Sequence, residues 1–288
     1  IRQNINHPSI FAWSLFNELW PGRPDPHREL QDLKILANGE DPTRPTIAAT
    51  SHDQYPQMNK IPDLLGWNMY PGWYGGWGSL ADFGRALDVR RMTSRDGGFC
   101  VSEYGAGANV THHEQNPKQP KTDGPWHPEE WQAIVHEADW AALKARPFVW
   151  GTFVWNMFDF TSASRHEGGI PGRNDKGLMT YDRKTRKDAF FFYKANWSNE
   201  GTLYITSRRF TDRTDPHTDV KVYSNGERVE ILVNGVSQGV QTEGKNCVFI
   251  WKDVVLRPGK NVVEAKAVKG GMSLADSCTW SLAGGEHK

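Results

Sequence analysis

One stretch near the start of the chain constrains the fold more than any other. It runs from His7 to Glu18 and reads HPSIFAWSLFNE. Pro8 cannot donate a backbone hydrogen bond, so it suits the position just before a strand. Ile10 to Phe16 is then almost unbroken apolar sequence, which is typical of a strand covered on both faces in a parallel sheet. We therefore expect a buried strand whose carboxyl end presents Asn17 and Glu18 for chemistry.

A second carboxylate follows a strand in the same way. Phe99–Ser102 is predicted to be a short strand that leads directly into Glu103, Tyr104 and Gly105. Two carboxylates that each end a buried strand match the acid/base and nucleophile pair of a glycosidase. For either residue alone, the alternative is a strand-end glutamate that caps a neighbouring helix.

Three groups of motifs, in order along the chain, resemble glycoside hydrolase family 2, the family of β-galactosidases and β-glucuronidases. The stretch His7–Glu18 resembles its acid/base signature, and Ser102–Gly105 resembles its nucleophile motif. The sequence around Val154–Phe160, Asn174–Thr180 and Asp182–Lys184 is similar to the end of the family's catalytic barrel. The resemblance covers essentially the whole chain.

The resemblance and the strand pattern together predict an α/β fold. We expect residues 1–200 to form about strands four to eight of a (β/α)8 TIM barrel, and residues 201–288 to form an all-β immunoglobulin-like sandwich. Past Asn199, apolar residues alternate with polar ones, and Asn234-Gly235 is a strong hairpin signal. Trp251 and Trp280 are expected in the sandwich core, with sugar binding as the alternative.

A closed barrel of this type needs about eight strands, whereas the sequence predicts only five before the sandwich begins. The first residue, Ile1, already lies beside a motif. We therefore expect a C-terminal fragment, with the N-terminal domains of the same polypeptide missing and negligible activity on its own. The first and last predicted strands, Ile10–Phe16 and Phe148–Trp155, are expected to be open edges.

Two helices are predicted with a defined apolar side. The first begins at Pro24-Asp25-Pro26 and ends near Asn38, and its covered side is expected to contain Leu30, Leu33, Ile35 and Leu36. The second begins at Pro128, and its apolar side is expected to contain Trp131, Ile134, Val135, Ala138, Ala142 and Ala145.

The resemblance implies a retaining mechanism, with Glu103 as the nucleophile and Glu18 as the acid/base residue. Retention requires the two carboxyl groups to lie about 5 Å apart. Asn17 matches the residue that contacts the sugar 2-hydroxyl, Tyr70 a tyrosine that touches the nucleophile, and Trp155 the tryptophan beneath the sugar. No cofactor is implied, and no metal site is expected.

The resemblance leaves the sugar open. Asn174 and Lys176 match the pair that binds the sugar carboxylate in β-glucuronidases, and a lysine is a suitable point charge for an anionic sugar. Asn-Asp-Lys-Gly also resembles β-galactosidases with this kind of C-terminal domain. Some galactosidases place a histidine shortly after the nucleophile. This chain differs from them, because it has Ala106 in that region. We favour a β-galactosidase; the alternatives are a β-glucuronidase and a non-catalytic carbohydrate-binding fragment.

Composition restricts the partners. The chain has 34 basic and 34 acidic side chains and no net charge, which argues against a nucleic-acid or anionic-membrane partner. No apolar run reaches the length of about 18 residues that a membrane span requires. The expected partners are a carbohydrate substrate and the missing N-terminal domains, and a homo-oligomer stays open. The compartment is unknown, although the resemblance implies the bacterial periplasm or secretion.

Two clusters allow more than one interpretation. Cys247 and Cys278 could form a disulfide or remain core thiols. His112, His113 and Glu114 lie in a long polar loop and could suggest a metal site, but their spacing matches no helix-borne site, so we expect no metal there.

Overall fold

A computed structural model describes residues 1–20, 25–94 and 98–283 of the chain. These residues form two compact units. The first unit contains residues 1–72, 76–104 and 142–155, and the second contains residues 73–75, 105–141 and the chain from residue 156 onward. The boundary expected at residue 200 stays a prediction. Pro24, the expected first residue of a helix, lies outside the described residues.

The described residues contain five α-helices and fifteen strands. The helices are α1 (His27–Glu40), α2 (Pro56–Asn59), α3 (Asp82–Thr93), α4 (Glu129–Lys144) and α5 (Asp188–Trp197). The first seven strands are β1 (Trp13–Asn17), β2 (Thr46–Thr50), β3 (Leu64–Asn68), β4 (Phe99–Tyr104), β5 (Val149–Val154), β6 (Phe160–Thr161) and β7 (Arg173–Asn174). The other eight are β8 (Leu203–Ile205), β9 (Asp212–Arg213), β10 (His217–Ser224), β11 (Arg228–Val233), β12 (Val236–Gln241), β13 (Val248–Val255), β14 (Gly259–Lys269) and β15 (Met272–Leu282).

The first unit is built on a parallel sheet of five strands in the order β1-β2-β3-β4-β5. A helix connects each strand to the next, as parallel neighbours require. The predicted α/β pattern of five strands is confirmed, with β1 and β5 at the two ends of this sheet. Because the five strands run in one direction, their carboxyl ends lie along the same edge.

Burial differs between the two strands that were expected to be covered on both faces. In β4, Phe99, Cys100 and Val101 are all buried, as predicted. In β1, Phe16 is buried, whereas Ser14 and Asn17 are exposed, so that prediction was wrong. The reason is position, because β4 has a neighbouring strand on each side and β1 lies at the end of the sheet.

The predicted apolar side of α1 was also wrong. Leu30 and Ala37 are its buried residues, and Leu33, Ile35 and Leu36 are exposed. Leu30 and Ala37 are separated by two helical turns and therefore lie on one side. Ile35 and Leu36 lie well away from that side. The apolar residues that are close together in the sequence therefore do not share one side of the helix.

Helix α4 is buried on more sides than the single apolar side that was predicted. The polar residues Gln132, His136 and Asp139 are as buried as the apolar ones. Gln132 donates from Nε2 to the carbonyl of Ala106 at 2.8 Å, which satisfies one of these polar groups. Ala145 lies beyond the helix and is exposed, contrary to the prediction. None of the described helices is both long and apolar enough to cross a membrane.

The C-terminal part of the second unit contains two sheets that share one hydrophobic core. Their strand orders are β13-β10-β8 and β12-β11-β14-β15-β9. The predicted hairpin is confirmed, since β11 and β12 are antiparallel and are joined by Asn234 and Gly235. These two residues have φ values of 52° and 80°, and the tight primed turn of a hairpin requires positive φ at both.

The tryptophans and cysteines of this part have structural roles. Trp251 and Trp280 are buried in the shared core, which confirms their expected packing role. The three cysteines all lie in described segments, and none of them forms a disulfide. Cys247 donates instead to the carbonyl of Ala195 at 3.4 Å. Of the two interpretations left open for Cys247 and Cys278, the structure therefore supports core thiols.

Two buried carboxylates share one arginine in the second unit. Arg209 donates to Glu129 Oε2 and to Asp188 Oδ1, each at 2.9 Å. The hydroxyl of Tyr204 donates to the same oxygen of Asp188 at 2.8 Å. Burial, together with the negative charge of Asp188, raises the pKa of Glu129 to about 7, although Arg209 opposes the shift. This cluster connects α4, α5 and the segment that follows β8.

Candidate active site

Glu18 directly follows β1, at the carboxyl edge of the parallel sheet. Its φ of 50° lies in the left-handed region, which residues other than glycine seldom adopt. Its backbone N–H donates to the carbonyl of Ala49 on the neighbouring strand at 2.9 Å. Its Oε1 accepts a hydrogen bond from Nδ2 of Asn68, also at 2.9 Å. Unusual backbone of this kind is concentrated at functional sites, where it fixes the direction of a side chain.

Glu103 lies one residue before the end of β4, and Tyr70 lies two residues beyond the end of β3. The hydroxyl of Tyr70 donates to Glu103 Oε2 at 2.7 Å. The backbone also joins these segments, because the N–H of Met69 donates to the carbonyl of Glu103 at 2.8 Å. Tyr70 is buried and Glu103 is half-buried. The short charge-assisted hydrogen bond therefore holds an accessible carboxylate in one orientation.

Asn68, the last residue of β3, connects three other residues of this edge and was missed by the sequence analysis. Its fully buried amide donates to Glu18 Oε1 at 2.9 Å and to Asn17 Oδ1 at 3.0 Å, and its Oδ1 accepts from Ser102 Oγ at 2.7 Å. Gly66 allows β3 and β4 to approach here, because a Cβ on it would lie 2.6 Å from Ser102 Oγ. A signal was present, since β3 ends in a polar residue just as β1 does.

The other predicted residues of the first unit lie on the same edge. Asn17 ends β1 and is exposed. Trp155 follows β5 and is half-buried, and its backbone N–H donates to the backbone carbonyl of Tyr104 at 2.9 Å. The sheet therefore presents all five predicted residues of this unit at the carboxyl ends of its strands: Asn17, Glu18, Tyr70, Glu103 and Trp155.

In the second unit, Asn174, Asp175 and Lys176 form a buried turn that begins at the last residue of β7. Asn174 Oδ1 accepts a hydrogen bond from the backbone N–H of Lys176 at 3.0 Å, so the asparagine closes the turn with its own side chain. The carbonyl of Lys176 accepts from the N–H of Asn156 at 3.1 Å. The two predicted residues Asn174 and Lys176 therefore belong to one rigid element, which we call the NDK turn.

The ammonium of Lys176 has an unusual environment for a lysine, a residue that is seldom buried. The side chain is only 1% exposed, and Nζ lies 3.3 Å from Glu167 Oε2. The same Nζ lies above the aromatic rings of Tyr74 and Trp73, 5.1 and 5.5 Å from their centroids. Desolvation strengthens the attraction between a cation and an aromatic face. Lys176 is thus a positive charge held in a defined position beside two flat rings.

A second layer of charged groups supports the NDK turn. Asp175 Oδ2 lies 2.6 Å from His127 Nδ1. Burial acts to raise the pKa of Asp175, but the hydrogen bond from His127 and nearby lysines outweigh it and lower that pKa. The fully buried Nζ of Lys187 donates to the carbonyls of Ala108 and Asp175 and to Asp159 Oδ1, at 2.7 to 2.8 Å. His127 and Lys187 were not predicted.

Each unit therefore presents groups suited to one kind of chemistry. In the first unit, two oriented carboxylates lie along one sheet edge, and carboxylates can donate protons, accept them or attack an electrophilic carbon. In the second unit, a buried cation lies beside two aromatic faces. A ring that bears a carboxylate could use both features of that second site, through charge and through stacking.

Comparison with known protein families shows which family this chain belongs to. Residues 1–200 match the family described as "Glycosyl hydrolases family 2, TIM barrel domain". The chain belongs to glycoside hydrolase family 2. A second match, over residues 216–275, is to a domain of unknown function. The predicted family is therefore confirmed for this chain.

Relatives of this family 2 chain cover nearly all of it. A β-glucuronidase of Bacteroides fragilis is 44% identical over 281 residues, which span 97% of this chain and 40% of the relative. The structure of an FMN-binding β-glucuronidase from Facaelibacterium prausnitzii L2-6 has a TM-score of 0.87 at 38% identity, over 97% of this chain and 42% of that one. A B. fragilis protein provisionally named a β-galactosidase has a TM-score of 0.90 at 35% identity, over 99% and 42%. The chain thus spans about two fifths of the length of these proteins.

The polar loop of this family 2 chain uses its histidines for hydrogen bonding. His113 Nδ1 lies 3.0 Å from Glu130 Oε1, and His112 Nδ1 accepts from the backbone N–H of His127 at 3.2 Å. Glu114 Oε1 accepts from Trp126 Nε1 at 2.5 Å. Within the described residues, no group of three or more histidine, cysteine, aspartate or glutamate side chains could hold a metal ion.

Proposed function

We propose that the native polypeptide carrying this chain is a retaining β-glucuronidase. The observation that carries the choice of sugar is the buried ammonium of Lys176 in the NDK turn, beside the rings of Trp73 and Tyr74. A uronic acid offers a carboxylate for such a cation, whereas a neutral sugar offers none. The B. fragilis and F. prausnitzii relatives named β-glucuronidases support the same choice. The sequence alone favours a galactoside.

In the proposed mechanism, Glu103 attacks the anomeric carbon and forms a glycosyl ester. Glu18 donates its proton to the glycosidic oxygen as the bond to the aglycone breaks. Glu18 then takes a proton from water, and the resulting hydroxide displaces Glu103 from the anomeric carbon. Two inversions give net retention at that carbon. The hydrogen bond from Tyr70 holds Glu103 for in-line attack.

The proposal gives the remaining residues binding or positioning roles. Asn68 orients Glu18 and Asn17 through one amide group. Asn17 is assigned to the sugar 2-hydroxyl, where a hydrogen bond strengthens as positive charge develops in the transition state. Trp155 is assigned to the face of the sugar ring. Asn174 is assigned to the sugar carboxylate together with Lys176.

The proposal also includes the domain organisation. Residues 1–200 would form strands four to eight of a (β/α)8 barrel, which is supported by five parallel strands with helical connections. Residues 201–288 would form an immunoglobulin-like sandwich, supported by the two sheets around one core. The remaining strands would come from other parts of the native polypeptide.

The choice of sugar can be tested with Lys176→Ala in the native polypeptide. If the substrate is a glucuronide, loss of the charge-assisted contact should cost about 2–5 kcal/mol in transition-state binding for that substrate. Turnover of 4-nitrophenyl glucuronide and galactoside would be compared by kcat/KM. Lys184→Ala is the matched control, because Lys184 is an exposed lysine eight residues further along the chain.

A wild-type enzyme that cleaves the galactoside well and the glucuronide poorly would overturn the proposal. It would favour a β-galactosidase, as the name of one B. fragilis relative suggests. Absence of turnover on every aryl glycoside would instead favour a carbohydrate-binding protein.

A further inference from the structure

Glu167 lies between two positive charges. Its Oε2 is 3.3 Å from Lys176 Nζ, and its Oε1 is paired with the guanidinium of Arg165. The side chains of Lys176 and Glu167 are 1% and 8% exposed, whereas that of Arg165 is 35% exposed. These three residues, which we call the charge triad, form a line that runs from the buried interior to solvent.

Tyr74 contacts both positive members of the charge triad. Its hydroxyl accepts a hydrogen bond from Arg165 at 3.2 Å, and its ring lies beneath the ammonium of Lys176. Burial acts to lower the pKa of Arg165, but the contacts with Tyr74 and Glu167 outweigh it and raise that pKa. Arg165 is therefore a fixed positive charge at any working pH.

A buried carboxylate beside Lys176 poses a problem for binding an anionic sugar. Glu167 and Lys176 alone would have no net charge, and a carboxylate ligand would meet repulsion from Glu167 as well as attraction from Lys176. Arg165 changes this sum, because two cations and one anion leave the charge triad with a net charge of one positive unit. The other neighbouring carboxylate, Asp175, is likewise held by its own donor, His127.

We infer that Arg165 determines the preference for a carboxylate-bearing sugar, because it neutralises Glu167 and so leaves the charge of Lys176 available to the ligand. This inference rests on the proposed function and extends it to a residue outside the NDK turn. Arg165 acts through Glu167 and Lys176, so it is a specificity-determining residue that need not touch the sugar.

The first test is Arg165→Gln in the native polypeptide, which removes the charge and keeps a polar side chain. A unit charge acting over one or two contact distances in a partly exposed site is worth about 10- to 100-fold in kcat/KM. We expect that loss for 4-nitrophenyl glucuronide, mainly through KM, and a change below about threefold for the neutral galactoside. Arg165→Lys keeps the charge and should recover most of the loss.

The second test restores the charge by a different route. In the double variant Arg165→Gln/Glu167→Gln, Lys176 is the remaining charged member of the charge triad, and the net charge is again one positive unit. The preference for the glucuronide should therefore return towards the wild-type value. Thermal unfolding of the single variant separates charge from folding, because a role confined to folding would lower the unfolding temperature and reduce turnover of both substrates.

Arg173→Gln is the matched control for a general loss of positive charge. Arg173 lies on β7, with its guanidinium above the ring of Tyr181 and 4.7 Å from the ring centroid. Thermal unfolding of each variant would accompany the kinetics. Equal losses on both substrates, or a similar loss in Arg173→Gln, would overturn the inference and leave the proposed function standing. No turnover of the glucuronide by the wild type would overturn both.

Discussion

Replacing Asn68 by alanine should separate the two carboxylates by function. The change removes three hydrogen bonds: two from Nδ2, to Glu18 and Asn17, and one accepted from Ser102. It leaves Glu103 with its hydrogen bond from Tyr70. Glu18, the proposed acid/base residue, should therefore lose its orientation, while Glu103, the proposed nucleophile, keeps its own.

The size of the effect follows from the kind of bond that is lost. A hydrogen bond to a charged carboxylate is worth about 1.5–3 kcal/mol, which corresponds to about 10- to 150-fold in rate when it is needed in the transition state. The bonds to Asn17 and Ser102 are between neutral groups, at about 1 kcal/mol each, and Asn17 is exposed and can bind water instead. We expect a loss of about 2–3 kcal/mol in the free energy of unfolding.

The assay is a series of aryl glycosides whose leaving groups range from dinitrophenol to phenol. An acidic leaving group needs little protonation, so kcat/KM for the dinitrophenyl substrate should fall less than about fivefold. The phenyl substrate should show the full loss, which steepens the dependence of rate on leaving-group acidity. Asn59→Ala is the matched control, because Asn59 lies on α2 and its amide donates to the carbonyl of His52 at 3.3 Å. A loss of equal size across the whole series would refute the idea that Asn68 orients the acid.

Two further predictions concern carboxylates directly. Glu103→Gln should abolish turnover of every aryl glycoside, because no glycosyl ester can form, whereas Glu18→Gln should spare the first step with acidic leaving groups; similar losses for both variants would contradict these roles. Burial raises the pKa of Glu129 to about 7 from its ordinary value of 4.5. The folded state therefore holds this proton more tightly, and its contribution to stability is lost as pH rises from 4.5 through 7. Relative to Glu129→Gln, the free energy of unfolding should fall by about 3 kcal/mol over that range, and parallel pH profiles would contradict the assignment.

The parts of the fold that were predictable depend on neighbouring residues in the sequence. The hairpin at Asn234 and Gly235 could be predicted because two adjacent residues decide its backbone conformation. The strand that carries Glu103 could be predicted because an unbroken apolar run leaves few alternatives. The covered side of α1 could not, since the side that faces a neighbour depends on how the sheet is placed.

The same distinction applies to the candidate site. Glu18 and Glu103 were visible because each ends an apolar run in a carboxylate. The supporting pair of His127 and Asp175 was not visible, since the two residues lie 48 positions apart and His127 has no distinctive flanking pattern. Asn68 was overlooked for a different reason: unlike Asn17, it has no carboxylate beside it in the sequence, and its role depends on distant partners.

The contacts of Lys187 suggest how substrate preference could change in this family without loss of the fold. Two of the three oxygens that its ammonium binds are backbone carbonyls, of Ala108 and Asp175. Backbone carbonyls persist whatever side chains the neighbouring positions carry. Residue 176 could therefore be exchanged during evolution, or in a laboratory library, while the main chain of the turn remained anchored, whereas Asn174 also closes the turn with its own side chain. The anchoring of the loop and the recognition of the ligand would then be separately variable traits.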